Sequence, residues 1–284
     1  MIGFGLFTVI PLATSLYYSF TDYNGVNTSN WIGFRNYSQI FTEDPYVRTA
    51  VYNTLYLALF GVVLGSILSL VLALLLNQKV RGIGIYRTLY YLPTMLPIVV
   101  SAFVFTLVLD PTTGVVNHVL GWFGISGPEW LLSTKWSKPA LIILGLWGIG
   151  NTVVIYLAGL QDIPKHLIEA ANVDGAGWWA RLRNVTLPML SPIIFFNVLL
   201  AMIGAFQNFI SIFYLTSTSG GAGLGGPANS TLTWGLLMYE NAFVNSQLGY
   251  AAAMSWIMLI LVMLITVGMF GLSRRWVYYE GASR

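Results

Sequence analysis

The most restrictive feature of this sequence is a set of long stretches that contain no charged side chain. Each is about as long as the 20 residues that a helix needs to cross the roughly 30 Å hydrocarbon core of a bilayer. This pattern predicts an all-α polytopic membrane protein with six transmembrane helices. The predicted spans are Ile2–Phe20, Val51–Leu76, Thr88–Leu109, Pro139–Leu160, Leu187–Leu215 and Tyr250–Leu272.

Composition supports a membrane location and excludes several classes of site. Charged residues make up 8% of the 284 residues, against roughly 25% in soluble domains. The 10 Trp, 16 Tyr and 16 Phe suit rings that anchor at lipid–water interfaces. With no Cys and two His, disulfides, thiolate sites and an all-His metal site are excluded. The net charge of +3 is spread over short connections, which argues against a nucleic-acid partner.

The distribution of Lys and Arg predicts the orientation. Cytoplasmic loops are enriched in these residues, and nine lie on one side of the predicted bundle against four on the other. Both termini are therefore expected in the cytoplasm of a bacterial or archaeal cell, in the inner or plasma membrane. The nine are Lys79, Arg81, Arg87, Lys165, Arg181, Arg183, Arg274, Arg275 and Arg284.

The ends and the outer loops give weaker signals. The first stretch begins almost at Met1, so it is either a truncated start or a free terminus. A cleaved signal peptide is disfavoured, because no basic region precedes the stretch and no small-residue cleavage site follows Phe20. Tyr37–Ala50 is expected to form a short interfacial helix. The outer segments Pro111–Lys138 and Ser217–Thr231 are rich in turn formers, and the glycine-dense Ser219–Gly226 is not expected to be helical.

Missing motifs narrow the functional classes. Ion-coupled carriers usually keep ionisable groups inside the membrane, and none lies within the predicted spans. An ion-coupled secondary carrier remains an alternative, because backbone carbonyls can also hold Na⁺. The chain has no phosphate-binding G-x-x-x-x-G-K-[ST] loop and no H-E-x-x-H or G-x-S-x-G motif. It is therefore not expected to be an enzyme, and a partner must supply the energy for uphill transport.

The fourth-to-fifth connection, Gln161–Pro188, carries the most specific pattern. Pro164 suits the first turn of a short helix, and Gly175 suits the left-handed position that ends one. A second short helix is expected through Trp178 and Arg183. By composition alone the segment is a cytoplasmic loop with two surface helices. Its motif is E-A-A, three residues, G, nine residues, an aliphatic residue, one residue and L-P, at Glu169, Ala170, Ala171, Gly175, Val185, Leu187 and Pro188.

This motif resembles the EAA loop of binding-protein-dependent ABC importer permeases. Further stretches are similar to carbohydrate-uptake permeases of the MalF-like, first-permease type. They are Tyr86–Pro97, Leu157–Pro164, Gly225–Thr231, Leu248–Ala253 and Arg275–Gly281.

The resemblance implies a type I importer permease fold, with a five-helix core and a leading helix. It places a leading helix and extracytoplasmic segment at 1–46, the permease domain at 47–272 and a cytoplasmic tail at 273–284. It implies a second homologous permease in a heterodimer, two ATPase subunits that bind ATP and Mg, and an extracytoplasmic sugar-binding protein. This chain would hold no cofactor. The sugar is not specified, and a polyol phosphate such as glycerol 3-phosphate is an alternative.

The resemblance also gives the loop a role, in which its short helix docks in a cleft of the ATPase and couples nucleotide-site closure to rocking of the permease. The residues assigned to this coupling are Glu169, Ala170, Ala171, Asp174, Gly175, Leu187 and Pro188.

Two polar or small-residue stripes run along the spans. Gly61, Gly65, Ser69 and Ala73 recur every four residues, which favours close helix packing. Asn197, Ala201, Gly204, Asn208 and Ser211 share one face of the fifth span and should point inward. They either join helices or line a sugar path. The predicted path residues are Thr94, Trp147, Asn151, Asn208 and Ser211.

Overall fold

The computed structural model describes residues 2–78, 80–217 and 225–278, and contains no strand within them. The expectations for Lys79, for most of Ser219–Gly226 and for the second half of the tail, residues 279–284, lie outside these ranges. An isolated antiparallel bridge between Thr21 and Trp31 closes the loop after the first helical stretch. The architecture is therefore helical throughout the part of the chain that the structure describes.

The first third of the chain forms one interrupted and one very long helix. Short α1 (Ile2–Phe4) continues through a π-helical turn (Gly5–Val9) into α2 (Ile10–Ser19). Then α3 (Arg35–Thr42) and α4 (Pro45–Leu76) follow, and they replace the expected Tyr37–Ala50 helix. The reason is local: the Asp44 carboxylate accepts the Tyr46 N–H at 2.8 Å, so α4 starts earlier than its apolar stretch.

The next two predicted spans are bent. Helices α5 (Ile83–Tyr91) and α6 (Ile98–Val108), with a 3₁₀ turn (Leu92–Met95) between them, meet at 102°. The bend follows from Pro97, which cannot continue a helix without losing a hydrogen bond. After α6, the Asp110 carboxylate accepts the backbone N–H and hydroxyl of Thr113 and of Thr112. These bonds lower the pKa of Asp110 to about 2.

The fourth predicted span also consists of two helices. After α7 (Val115–Trp122), α8 (Ser137–Trp147) and α9 (Gly150–Gln161) meet at 48° around Gly148. Close packing fixes this corner, because a Cβ on Gly150 would lie 2.7 Å from the Tyr90 carbonyl oxygen. The loop helix α10 (Lys165–Val173) follows, starting one residue after Pro164.

The remaining chain supplies the two other long helices. Helix α11 (Trp178–Arg181) runs through a π turn (Leu182–Thr186) into α12 (Leu187–Gln207) without a break. The last elements are α13 (Ile210–Ser217), a 3₁₀ turn (Pro227–Asn229), α14 (Trp234–Tyr239), a π turn (Glu240–Val244) and α15 (Leu248–Ser273). The fifth span was therefore predicted wrongly: the helix starts at Trp178 and ends at Gln207.

Three helices in the described ranges are long and apolar enough to cross a membrane, and five spans result if each bent pair counts as one. The helical stretch Ile2–Ser19 is not among them, so a count of six remains a prediction. Helix α4 is central, since it packs against α8, α9, α12 and α14. Its other face exposes large apolar residues such as Leu59, Ile67 and Val71, as expected for contact with lipid or a partner helix.

A cavity in the bundle and an exposed loop

Nine polar side chains line a cavity between α4, α8, α9, α12 and α13. Its volume is about 240 Å³, and it is open at its mouth. Along α4 it extends from Thr54 to Ser69, which is about 22 Å at 1.5 Å per residue. This length compares with a hydrocarbon core that is roughly 30 Å thick. Its polar lining residues are Thr54, Ser66, Ser69, Thr152, Tyr156, Asn197, Asn208, Ser211 and Thr233.

The small-residue stripe of α4 forms one wall of this cavity. Gly61, Gly65 and Ser69 all line it. A Cβ added to Gly61 would meet nothing within 4 Å. The expectation that this stripe allows a close helix contact is therefore wrong at Gly61, whereas Ala73 is fully buried in an apolar cluster with Val153 and Leu157. The glycines leave room for the cavity.

A helix break forms the opposite wall. Asn208 has an extended backbone (φ −76°, ψ 111°) and separates α12 from α13. Its side-chain Oδ1 accepts the Ser211 hydroxyl at 2.8 Å. Asn competes with helical hydrogen bonds and favours helix ends, which explains why the apolar pattern did not continue as one helix. Non-helical backbone at membrane depth is tolerated where it lines a cavity, and Asn208 lies at such a position.

The predicted orientation places the Thr54 end of the cavity outside, and this end, called the outer end below, is held by a buried amide. Asn53 is 1% exposed, and its Nδ2 donates to the carbonyl oxygens of Asn229 at 3.0 Å and Leu232 at 2.9 Å. The neighbouring Thr54 hydroxyl accepts the Trp234 N–H at 2.8 Å. Together these contacts attach the segment before α14 to α4.

The segment itself is tightly folded. The N–H and hydroxyl of Thr231 donate to the Gly225 carbonyl oxygen at 2.9 and 2.8 Å. The side chains of Ser230 and Ser137 are hydrogen-bonded at 2.8 Å. Ala228 and Asn229 have positive φ angles of 50° and 58°, a conformation that non-glycine residues adopt at a cost. The surrounding contacts impose this shape.

The structure brings only part of the predicted sugar path together. Asn208 and Ser211 line the cavity, but Thr94, Trp147 and Asn151 do not. The Trp147 ring packs against Phe105 with centroids 5.3 Å apart. The Thr94 hydroxyl donates to the Tyr91 carbonyl oxygen at 2.7 Å. Asn151 is exposed on another face of α9.

Sequence reasoning missed the α9 residues that do face the cavity. Ile149, the residue before α9, and Thr152 and Tyr156 within α9 line the cavity at spacings of three and four, which is one face of a helix. The buried Tyr156 hydroxyl is hydrogen-bonded to the Ser66 hydroxyl at 2.9 Å. The spacing of these three residues indicates a shared helix face, but the 48° bend shifts the register between α8 and α9. A single straight span therefore pointed to Trp147 and Asn151 instead.

The loop with the E-A-A motif is mostly exposed, in contrast to the buried residues at the outer end of the cavity. In α10, Glu169 and Ala170 are exposed and Ala171 is half-buried. Gly175 has φ +74°, as its helix-ending role requires. The Ala176 N–H donates to the Ala171 carbonyl oxygen at 2.9 Å, which turns the chain back. Asp174 and Gly175 are exposed at this turn, and Leu187 and Pro188 are half-buried at the start of α12.

Large apolar side chains surround the exposed loop. Val173 is 88% exposed, and Trp178 and Trp179 are 60% and 65% exposed. The Arg181 guanidinium donates to the Asn172 side-chain oxygen and so links α11 to α10. Apolar surface of this extent next to charged residues is typical of a protein or membrane contact.

The chemistry of the cavity favours binding over catalysis. Its polar groups are hydroxyls and amides, which can bind hydroxylated ligands. Among the described residues no group of three or more His, Cys, Asp and Glu could hold a metal ion.

Comparison with known proteins gives a consistent result. Residues 61–277 match the model of a family described as the binding-protein-dependent transport system inner membrane component. The chain is 39% identical over 281 residues to the probable ABC transporter permease protein YesP of Bacillus subtilis, covering 99% of this chain and 89% of YesP. It is 33% identical over 229 residues to the lactose transport system permease protein LacF of Rhizobium radiobacter, covering 79% and 75%.

Among solved structures, a chain of a bacterial ABC transporter involved in the import of the acidic polysaccharide alginate matches with a TM-score of 0.83. The two chains are 25% identical, and the match covers 96% of this chain and 92% of the other.

Proposed function

The chain belongs to the family of binding-protein-dependent transport system inner membrane components, and on this premise we propose that it is a permease subunit that moves a sugar through its own cavity. The observation that carries the proposal is the cavity, which extends along about 22 Å of α4 and is lined by hydroxyls and amides. A sugar crossing hydrocarbon needs such partners, because each unsatisfied polar group costs several kcal/mol.

The path that we propose runs along Asn208, Ser211, Thr152 and Tyr156 on one side of the glycines of α4. It replaces part of the path predicted from sequence, since Asn151 and Trp147 lie elsewhere. The names of the relatives support a sugar as cargo, because LacF serves lactose transport and the solved transporter imports alginate.

The energy is proposed to come from ATPase subunits that bind ATP and Mg and dock on the loop of α10. Its exposed Glu169 offers a charge-assisted contact, and Gly175 permits the sharp turn behind the docking helix. The full assembly would contain a second homologous permease, two ATPases and an extracytoplasmic binding protein. Closure of the nucleotide sites would then rotate the permease as a rigid body.

Reconstitution tests the proposed function. The complex of this chain with its partner permease, ATPases and binding protein is placed in vesicles, and uptake of radiolabelled lactose, arabinobiose and other sugars is measured. Uptake that needs both ATP and the binding protein is the expected result. Uptake abolished by ionophores but insensitive to ATP depletion would identify an ion-coupled carrier instead.

Labelling tests the orientation. The sequence has no native Cys, so a single introduced thiol reports without background. We expect an impermeant maleimide to label Asn27→Cys in intact cells, because the predicted orientation places the connection between α2 and α3 outside. It should label Asn172→Cys, in α10, only after the membrane is opened. The reverse pattern would place the loop of α10 outside and remove the ATPase docking proposal.

A further inference from the structure

The cavity that the proposed function assigns to the sugar lacks any charged group. None of its 21 lining residues is Asp, Glu, Lys, Arg or His. Two cations on neighbouring elements are engaged elsewhere. The Lys138 Nζ lies 4.8 Å from the centre of the Tyr52 ring, and the Arg87 guanidinium donates to the Leu76 carbonyl oxygen at 3.1 Å. The part of the chain that the structure describes therefore provides no counter-ion in the cavity.

Most hydroxyls in the cavity already have a protein partner. Thr54 bonds to the Ala50 carbonyl oxygen and the Trp234 N–H. Ser66 pairs with Tyr156, and Ser211 pairs with Asn208. These groups are held in place before any ligand arrives.

Two buried hydroxyls differ from the cavity hydroxyls that have a partner. Ser69 is fully buried and Thr233 is 3% exposed, yet neither side-chain oxygen has a hydrogen-bond partner within the described ranges. Both residues line the cavity. Thr233 precedes Trp234, which bonds to Thr54 at one end, whereas Ser69 lies fifteen residues further along α4. The two unpaired hydroxyls therefore lie towards opposite ends.

A buried unpaired hydroxyl is costly, and such a group in a native fold calls for a missing partner. We propose that Ser69 and Thr233 bind hydroxyls of the transported sugar at the two ends of the cavity, and that this cavity selects uncharged saccharides over sugars that carry a carboxylate, sulfonate or phosphate. This inference rests on the proposed sugar permease function. Hydroxyls can pair with a neutral sugar, whereas an anion without a counter-ion in a low-dielectric site carries a large desolvation penalty.

The first experiment uses Ser69→Ala and Thr233→Val in the full reconstituted complex. Neither substitution removes a hydrogen bond of the structure, so the melting temperature should stay unchanged or rise. Sugar uptake per complex should fall about fivefold or more. The matched control is Ser191→Ala, whose hydroxyl bonds to the Pro188 carbonyl oxygen at 2.6 Å and to the Tyr278 N–H at 2.9 Å. It should lower the melting temperature and leave uptake per intact complex unchanged.

If Ser69→Ala and Thr233→Val lower the melting temperature and the uptake together, both hydroxyls are structural. If uptake by these variants is normal, the hydroxyls do not contact the sugar. Either result overturns their assignment while ATP-dependent uptake by the parent complex still stands.

The second experiment tests the charge selection. Uptake is compared for matched pairs of neutral and anionic sugars. One such pair is lactose and the same disaccharide with the CH₂OH group of its galactose unit replaced by a carboxylate. Binding of each pair to the permease–ATPase complex without the binding protein is measured in parallel, so that selection by the binding protein is separated from selection by the cavity. At least tenfold preference for the neutral member in both assays is expected. Equal use of the anionic member would overturn the inference alone, and no uptake of any sugar would instead overturn the proposed function.

Discussion

The outer end of the cavity and the loop of α10 are built in opposite ways. At the outer end, buried side chains such as Asn53 and Thr54 fix the backbone before α14 through hydrogen bonds within the chain. In the loop, Glu169 is exposed and Gly175 turns the chain without any neighbour within 4 Å of its Cβ position. The Asn53 and Thr54 side chains of the first region are therefore paired within the fold, whereas the second region presents groups that a partner can bind.

This difference predicts two kinds of mutational effect. Changes at the outer end should act on stability, because they leave buried groups without partners. Changes in the loop should act on coupling, because the loop contributes little to the core. Three substitutions, given in order of decreasing expected effect, test this difference.

The largest effect is expected for Asn53→Leu. The substitution removes both donors to the Asn229 and Leu232 carbonyl oxygens. A buried unpaired acceptor costs about 1–3 kcal/mol, so a loss of about 2–6 kcal/mol is expected. Thermal unfolding of the detergent-solubilised complex should show a clearly lower midpoint. Asn151→Leu is the size-matched control, since Asn151 is exposed; equal midpoints for both variants would contradict the view that Asn53 anchors the outer end.

A smaller, purely local effect is expected for Gly175→Val. Its φ of +74° disfavours a β-branched residue by about 1–3 kcal/mol. The subunit should still insert and assemble with its partner permease, while binding protein-stimulated ATP hydrolysis falls more than tenfold. Gly175→Asn tolerates positive φ and should retain most of the activity. Gly177→Ala, at φ −64°, should behave as wild type.

If Gly175→Val instead lowers the melting temperature as strongly as Asn53→Leu, the loop is part of the folded core and the comparison fails. If Gly175→Val hydrolyses ATP and transports normally, the turn has no coupling role.

The smallest effect is expected for Asn208→Ala. Its amide lines the cavity, and a single hydrogen bond contributes about 0.5–1.5 kcal/mol. Sugar uptake should therefore fall about two- to tenfold with ATPase docking intact. Asn151→Ala is the matched control and should change uptake by less than twofold, because Asn151 lies outside the cavity. A larger loss in Asn151→Ala than in Asn208→Ala would restore the path predicted from sequence.

Much of this protein could be predicted from its sequence. Charge-free stretches indicated a helical membrane protein. Unpaired backbone groups and polar side chains are so costly in lipid that long stretches without charge predict helices in a bilayer. The family resemblance was confirmed, since the motif depends on fixed spacing within one short segment of chain. Gly175 takes the expected left-handed conformation, since only local backbone sterics decide it.

The tertiary structure decided where the spans bend and which side chains meet. Apolar periodicity cannot locate a break inside a uniformly apolar segment. The breaks at Gly148, Pro97 and Asn208 therefore could not be predicted, and each changes which residues of the following helix face the bundle. Thr152 and Tyr156 therefore reach the cavity, and Asn151 does not. A cavity is formed by side chains distant in sequence, such as Ser69 and Thr233. Only the packing of several helices determines that both lie in it without a hydrogen-bond partner among the described residues.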